Sequence, residues 1–341
     1  YGYAFYRTGL KDITLPKSVT YVGEFCFSDC EQLTAITAVE ENGSYTSADG
    51  VLFNKSQTKL VTFPAGKTGS YTVPGQTQHL AFGAFEGAKL QNVAFPSDSE
   101  LMTIGYRAFY NAAGLERVRL PACVQSVDFY AFANCTNLSE VVVPNDSCMS
   151  GIYQGAFYHC TGLREISIPD TVREIGDNAF DGCESLSVVR IAETSGLIAI
   201  GDQAFAHTNI SAFAFPAGLL DVGQEAFSYT ALDTFALPAS VEYVGPGVLK
   251  GTTPTKLTLS FLGYAPGDYE TATLVYTFDR PGADPSVLPD TLKSVHVLNC
   301  QILYASAFEG ADTLECVTLE TPTVIAGMAF SHCKALREVH T

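Results

Sequence analysis

The sequence of 341 residues contains no tryptophan, only three methionines and few basic side chains. Its 19 lysines and arginines face 36 aspartates and glutamates, which gives a formal net charge of −17. Such a field opposes binding to nucleic-acid phosphates or to an anionic membrane surface, so no nucleic-acid partner is expected. A run of 18 apolar residues is also missing, and we therefore expect no membrane insertion of this segment.

The short motifs that accompany catalysis are missing as well. There is no Gly-x-Ser-x-Gly elbow, no His-Glu-x-x-His helix, no phosphate-binding glycine loop and no dinucleotide fingerprint. The acidic residues are scattered over variable positions rather than paired. We therefore predict a protein that is not an enzyme, with no catalytic residue, no cofactor and no metal ligand. A hydrolase built on the same scaffold is the least favoured alternative.

What the chain does have is a repeated Ala-Phe pair. Seven of the phenylalanines that follow an alanine recur at intervals of 22 to 25 residues: Phe85, Phe109, Phe132, Phe157, Phe180, Phe205 and Phe227. A period of this length that persists over many copies predicts a solenoid, in which each repeat covers the apolar face of its neighbours. We call these residues the anchor phenylalanines.

The spacing within one repeat predicts its local structure. Ile166 and Ile168 alternate with polar residues and precede Pro169, which is typical of a short strand that the proline ends. A second apolar pair, Val172 and Ile175, predicts another short extended segment on the opposite wall. The Ala-Phe pair itself predicts a tight 3₁₀ or single helical turn, with the phenylalanine in the core.

The complete pattern resembles a known family. From Leu163 to Cys183 the chain follows Leu-x-x-Ile-x-Ile-Pro-x-x-Val-x-x-Ile-Gly-x-x-Ala-Phe-x-x-Cys, which resembles the BspA-like (treponemal-type) leucine-rich repeat. The resemblance implies a leucine-rich-repeat solenoid of the α/β-horseshoe type, dominated by β-structure. A parallel β-ladder would form its concave face, with short turns and 3₁₀ segments elsewhere.

The resemblance also carries a functional expectation, because members of that family occur on bacterial surfaces or are secreted and take part in adhesion. We expect a non-enzymatic binding or adhesion module of a bacterial cell-surface or secreted protein. It would recognise a surface protein or glycan of a host or neighbouring cell through an extended repeat surface. The alternative is a structural spacer with no ligand of its own.

The repeats extend over almost the whole chain, so we expect residues 1–341 to form a single solenoid. Irregular insertions are expected at about 38–70 and 260–290, where the rhythm breaks. Because residues 1 and 341 both fall in the middle of a repeat, the chain is expected to be a piece of a longer protein.

Two surfaces are candidates for ligand binding. The first is the outward strand positions, and the second is the tyrosines of the later insertion. The candidate residues are Arg117, Arg119, Glu140, Val142, Glu165, Ser167, Val188, Arg190, Tyr264 and Tyr269. The alternatives are that the strand positions vary as ordinary solvent-facing residues do, and that the insertion aromatics fold back onto the core.

Half of the ten cysteines lie three residues after an anchor phenylalanine or its equivalent: Cys30, Cys135, Cys160, Cys183 and Cys333. Alanine or threonine takes the same place in other repeats, so the position selects small buried residues. We expect these thiols to be buried and reduced; disulfide or metal binding is the less favoured alternative.

Overall fold

The structure, a computed structural model, describes residues 2–144, 146–192, 194–268, 271–280, 283–320 and 324–341. The chain divides into two compact units. The first unit contains residues 1–172 with 182–186, and the second contains residues 173–181 with 187–341. Both are built from stacked solenoid turns of short, mainly parallel strands, which confirms the predicted leucine-rich-repeat fold.

The strands of the first unit are β1 (Asp12–Leu15), β2 (Ala35–Ala38), β3 (Tyr45–Ala48), β4 (Val51–Asn54), β5 (Lys59–Thr62), β6 (Thr68–Thr72), β7 (His79–Leu80), β8 (Lys89–Ala94), β9 (Thr103–Ile104), β10 (Arg117–Arg119), β11 (Ser126–Val127), β12 (Glu140–Val142), β13 (Gly151–Ile152) and β14 (Glu165–Ile168).

Two parallel ladders run through the first unit. Strands β6, β8, β10 and β12 form the main ladder, and β5, β7, β9, β11 and β13 form a ladder of very short strands. In the main ladder Val118 lies opposite Val93 on one side and Val141 on the other, and all three are buried. The alternation of buried and exposed residues places the neighbouring side chains outside, as the sequence predicted.

The first insertion forms an antiparallel meander. Strand β4 pairs antiparallel with β3 and with β5, and β5 then pairs in parallel with β7. The side chains of Val51, Leu52 and Phe53 in the middle strand are fully buried. The rhythm of the sequence breaks here because a meander has no anchor turn, although it shares the core of the repeats.

The elements of the second unit are β15 (Glu174–Ile175), β16 (Val188–Ile191), β17 (Ala199–Ile200), β18 (Asp221–Val222), β19 (Thr234–Ala236), β20 (Tyr243–Val244), β21 (Lys256–Leu259), the single-turn helix α1 (Val275–Phe278), a 3₁₀ turn (Pro285–Val287), β22 (Ser294–Val297), β23 (Ile302–Leu303), β24 (Cys316–Leu319), β25 (Val324–Ile325) and β26 (Glu338–His340).

Parallel pairing again organises this unit. Strands β19, β21, β22, β24 and β26 follow one another in the main ladder, while β15, β17, β18 and β20 form a ladder of short strands. Strand β23 pairs with β25. In the described part of the chain, the structure contains no helical segment that could span a bilayer.

The second insertion lies between β21 and β22. Of its aromatic side chains, Phe261, Tyr276 and Phe278 are buried, whereas Tyr264 is exposed. Most of these aromatics therefore fold back onto the core, as the alternative interpretation of this stretch held. Burial also raises the pKa of the Tyr276 hydroxyl well above its ordinary value.

The anchor phenylalanines stack along each unit. In the first unit the rings of Phe85 and Phe109 lie 4.7 Å apart at an interplanar angle of 10°, and those of Phe109 and Phe132 lie 4.8 Å apart at 4°. In the second unit Phe180 and Phe205 stack at 5.2 Å. Because these side chains have almost no solvent exposure, the stack forms the centre of the core.

The anchor segments are linked β-turns, not the 3₁₀ or helical turns that the Ala-Phe pair suggested. Around Phe109, the residues two before and two after it, Arg107 and Asn111, have φ angles of 55° and 58°. The Ala108 amide donates to the Gly105 carbonyl within the repeat, while the Phe109 amide donates to the Ala131 carbonyl of the next one. Left-handed residues at such short intervals prevent a helix, and the bonds between repeats hold them in place.

Candidate functional site

The outer face of the main ladder holds most of the predicted binding residues. Arg117, Arg119 and Glu140 are exposed, and Val142 is half-buried. The register of β10 and β12 sets Arg117 beside Glu140, with 3.6 Å between Arg117 Nε and Glu140 Oε2. Their charges therefore compensate each other, and the strip is less charged than the sequence alone suggests.

The other predicted residues that the structure describes lie on β14, on β16 and in the second insertion. Glu165 is exposed and Ser167 half-buried on β14, next to β12, whereas Val188 and Arg190 are exposed on β16 of the second unit. Tyr264 lies in the second insertion and packs edge-on against Tyr243, with ring centroids 5.8 Å apart. Tyr269 lies outside the described residues.

A row of aromatic side chains in the first unit was not predicted from the sequence. Rings that follow one another at centroid distances of 5.3 to 6.5 Å define this aromatic row. Its members are Tyr3, Phe25, Phe82, Tyr106, Tyr130 and Tyr158. Five of them lie two or three residues before an anchor phenylalanine or its equivalent, so they come from the turn segments rather than from the strands.

An exposed ring pair flanks the row. Phe129 and Tyr153 stack at 5.5 Å with an interplanar angle of 17°, and their exposed fractions are 44% and 36%. Phe82 in the row is 41% exposed. Several large aromatic side chains exposed close together are typical of contact sites for other molecules. Removal of their surfaces from water favours binding.

A buried ionic contact supports one end of the row. The Arg107 guanidinium lies over the ring of Phe25 and contacts the Glu86 carboxylate, which also accepts a hydrogen bond of 2.7 Å from Ser28 Oγ. Burial raises the pKa of Glu86, while the hydrogen bond from Ser28 and the charge of Arg107 act in the opposite direction. These contacts fix the orientation of Arg107 against the ring of Phe25.

A glycine provides the space for one ring of the row. Gly155 has a φ angle of +62°, and a Cβ atom at this residue would lie 2.3 Å from the Tyr130 ring. The ring of Tyr130 therefore lies directly over the backbone of the next repeat. The signal that could have revealed the row is present in the sequence, because aromatic residues recur two or three residues before the anchor.

A cleft in the second unit is a further cavity with mixed lining. It has a volume of about 320 Å³ and lies between the second insertion and the segment around β23. Phe261 and Leu262 contribute apolar walls, while Asn299, Gln301 and Tyr304 contribute polar groups. No cluster of catalytic groups is found along this lining in the described part of the chain.

Comparison with known proteins places these features in a family context. A family model described as "BspA type Leucine rich repeat region" matches residues 1–72, 62–151 and 150–261, in six copies. No curated protein matches the chain.

Several solved structures are similar. A leucine-rich repeat protein from Eubacterium ventriosum is 25% identical, with a TM-score of 0.62 over 67% of this chain and 61% of its own. A leucine-rich repeat protein from Bacteroides ovatus is 18% identical, with a TM-score of 0.56 over 99% of this chain and 81% of its own. A leucine rich cell surface protein from Faecalibacterium prausnitzii is 19% identical, with a TM-score of 0.50 over 87% and 94%. The chain thus spans about three fifths of the Eubacterium protein.

Proposed function

Because this chain belongs to the BspA-type leucine-rich repeat family, we propose that it is a non-enzymatic binding module of a bacterial cell-surface or secreted protein. The proposed location rests on the family resemblance and on the description of the Faecalibacterium protein as a cell surface protein. The partner would be a surface protein or a glycan of a host or neighbouring cell. Its binding would use a surface that extends over several repeats.

The observation that carries the proposal is the aromatic row with its exposed pair Phe129 and Tyr153. Tyrosine is frequent at the energetic centres of protein interfaces and phenylalanine is enriched in their buried cores, because a large rigid ring loses little entropy on contact. Their flat faces can equally cover the apolar face of a sugar ring. Turn segments held by the stacked repeats fix the rings before any partner arrives, which favours affinity.

The strand face is the second surface within the same proposal. Its Arg117–Glu140 pair and the neighbouring Arg119 would contribute polar contacts and orientation rather than most of the affinity. Substitution of each surface separately distinguishes their roles. If the wild-type chain binds none of the partners tested, the alternative of a structural spacer is favoured.

The test measures binding of the purified chain to a glycan array and to immobilised surface proteins of candidate host and neighbouring cells. We expect the Phe129→Ala/Tyr153→Ala variant to bind its partner at least about tenfold more weakly than wild type. The Arg117→Ala/Arg119→Ala variant should show a smaller loss that depends on salt. Tyr229→Ala, which removes a tyrosine that is 49% exposed in the second unit, is the matched control and should bind normally.

All of these side chains are exposed, so the substitutions should leave the melting temperature unchanged. Variants are compared only where the melting temperature is that of wild type. Unchanged affinity of the double aromatic variant would contradict the aromatic row as the binding surface. Binding to the glycan array would identify a glycan partner, and binding to an immobilised protein would identify a protein partner.

A further inference from the structure

The last two strands of the main ladder in the second unit place three different metal-binding side chains on one face. Strands β24 and β26 pair in parallel, with Cys316 opposite Glu338 and Thr318 opposite His340. Val317, between them on β24, is buried, so Cys316 and Thr318 point to the other, outer side of the ladder. Glu338 and His340, two residues apart, share that outer side with Cys316.

The distances within this group are short. A sulfur of Cys316, a carboxylate oxygen of Glu338 and a ring nitrogen of His340 all lie within 4.8 Å of one another. His340 Nε2 is 3.2 Å from Glu338 Oε2. In a tetrahedral site with metal–ligand distances of about 2.0 to 2.3 Å, ligand atoms lie about 3.3 to 3.7 Å apart. The three side chains therefore need to close by only about 1 Å, by rotation about their own bonds.

The chemistry of the donors selects the metal. Calcium and magnesium prefer oxygen donors throughout, whereas a thiolate and an imidazole together favour borderline-soft cations of the zinc class. We propose that Cys316, Glu338 and His340 bind one zinc-class divalent cation. Three protein ligands leave the fourth tetrahedral position for water or for a donor group of a partner.

Protons and charge balance when the cation binds. The thiol of Cys316 loses its proton to solvent and binds as thiolate, and His340 binds through the neutral ring nitrogen that now faces Glu338. The thiolate and the Glu338 carboxylate together carry two negative charges, which the divalent cation neutralises. No oxidant or reductant takes part.

The neighbouring strand supplies a matched control. His296 on β22 lies opposite Thr318, on the same outer face, and its Nε2 is 3.1 Å from Glu320 Oε1 without hydrogen-bond alignment. Two strand spacings separate His296 from His340, or about 10 Å between their backbones. It therefore lies too far away to complete the tetrahedron, and its substitution should leave metal binding unchanged.

The experiment titrates the metal-free full chain with zinc, followed by calorimetry, and with cobalt, followed by absorption. We expect one zinc ion per chain with a Kd of about 10 µM or lower. Cobalt should give the near-ultraviolet charge-transfer band of a thiolate ligand. Cys316→Ser and His340→Ala should each weaken zinc binding at least about tenfold, since loss of an outer-shell partner alone costs that much. His296→Ala and Cys148→Ser, which removes an exposed thiol of the first unit, should bind zinc like wild type.

A measurement on the wild-type chain makes the test independent of variant folding. Zinc should protect Cys316 from iodoacetamide, as peptide mass spectrometry would show, while the exposed thiols of Cys123 and Cys148 stay reactive. Stoichiometric binding, the thiolate band and this protection would support the site. The proposal would be overturned by binding in Cys316→Ser or His340→Ala as tight as in wild type, by a cobalt spectrum without the thiolate band, or by an equal loss in His296→Ala.

Discussion

The thiol of Cys160 donates a hydrogen bond to the carbonyl oxygen of Phe132, one repeat earlier, at an Sγ–O distance of 3.0 Å. Cys135 makes the same contact with Phe109 at 3.1 Å. In the second unit Thr208 takes this column, and its hydroxyl donates to the carbonyl of Phe205 within its own repeat at 2.9 Å. The column therefore holds small side chains, and where the side chain is cysteine or threonine it also donates to an anchor carbonyl and satisfies a buried acceptor.

The first prediction concerns the reactivity of these thiols. Burial raises the pKa of the Cys135 and Cys160 thiols, so almost no thiolate forms at about pH 8. Iodoacetamide should label Cys123 and Cys148, which are exposed, and leave Cys135 and Cys160 unmodified in the native protein. Peptide mass spectrometry measures the labelling.

Unfolding without reductant provides the control, because all four thiols should then react. A disulfide between any two of Cys135, Cys160 and Cys183 would contradict the hydrogen-bonded column.

Much of the fold could be predicted from the sequence because its signals are local and repeated. The alternation around Val118 and Val141 predicted the inner and outer faces of the strands correctly, and the small residue at Cys160 indicated burial. The turn geometry could not be predicted, because the left-handed conformation of Arg107 and Gln203 comes from hydrogen bonds to the next repeat and not from residue preference.

The binding surfaces were predictable only in part. Strand residues such as Arg119 have a fixed period of two, so their exposure follows from the pattern. The contact between Phe129 and Tyr153 depends on how two turns of different length stack, because Phe129 lies three residues and Tyr153 four residues before its anchor. Contacts of that kind arise only in the assembled repeats.

The second prediction concerns the glycine below Tyr130. Gly155→Ala should destabilise the protein by more than about 1 kcal/mol, because alanine is strained at positive φ and its Cβ would overlap the Tyr130 ring. In Gly155→Ala/Tyr130→Ala the overlap is gone, so the combined loss should be smaller than the sum of the single losses. Urea denaturation measures all three variants.

Met328→Gly is the matched control, because Met328 takes the same column with a φ angle of 63° and its side chain is 65% exposed. Glycine adopts that conformation without strain, so the change should be neutral or nearly so. Strict additivity of the two losses in the double variant would argue against the steric explanation.

The third prediction follows from the raised pKa of Glu86. The folded protein holds the Glu86 proton more tightly than the unfolded chain does. The stability that this group contributes is therefore present below its ordinary pKa of about 4.5 and is lost as pH rises through its folded pKa. Glu86→Gln should accordingly lose more stability relative to wild type at about pH 4 than at about pH 7.

Urea denaturation of both proteins across this pH range gives the difference directly. Gln76→Ala, at an exposed residue that carries no charge, serves as the control and should show no such trend. A difference for Glu86→Gln that grows towards neutral pH would mean that the contact with Arg107 outweighs burial.

The last prediction tests the repeat logic through the core and the surface of the second unit. Phe180 is completely buried and stacks on Phe205, so Phe180→Ala leaves a cavity that should cost about 3–5 kcal/mol. Arg190 is exposed on β16, and Arg190→Ala should cost under about 1 kcal/mol. Because each repeat packs only on its neighbours, the loss in Phe180→Ala should first increase amide exchange in the turns next to it, around Phe205, and leave the turn around Phe308 protected for longer. Denaturation and hydrogen exchange measure both effects. A larger loss in Arg190→Ala than in Phe180→Ala would reverse the assignment of inner and outer strand faces, and uniform exchange throughout the unit would show that its repeats unfold together.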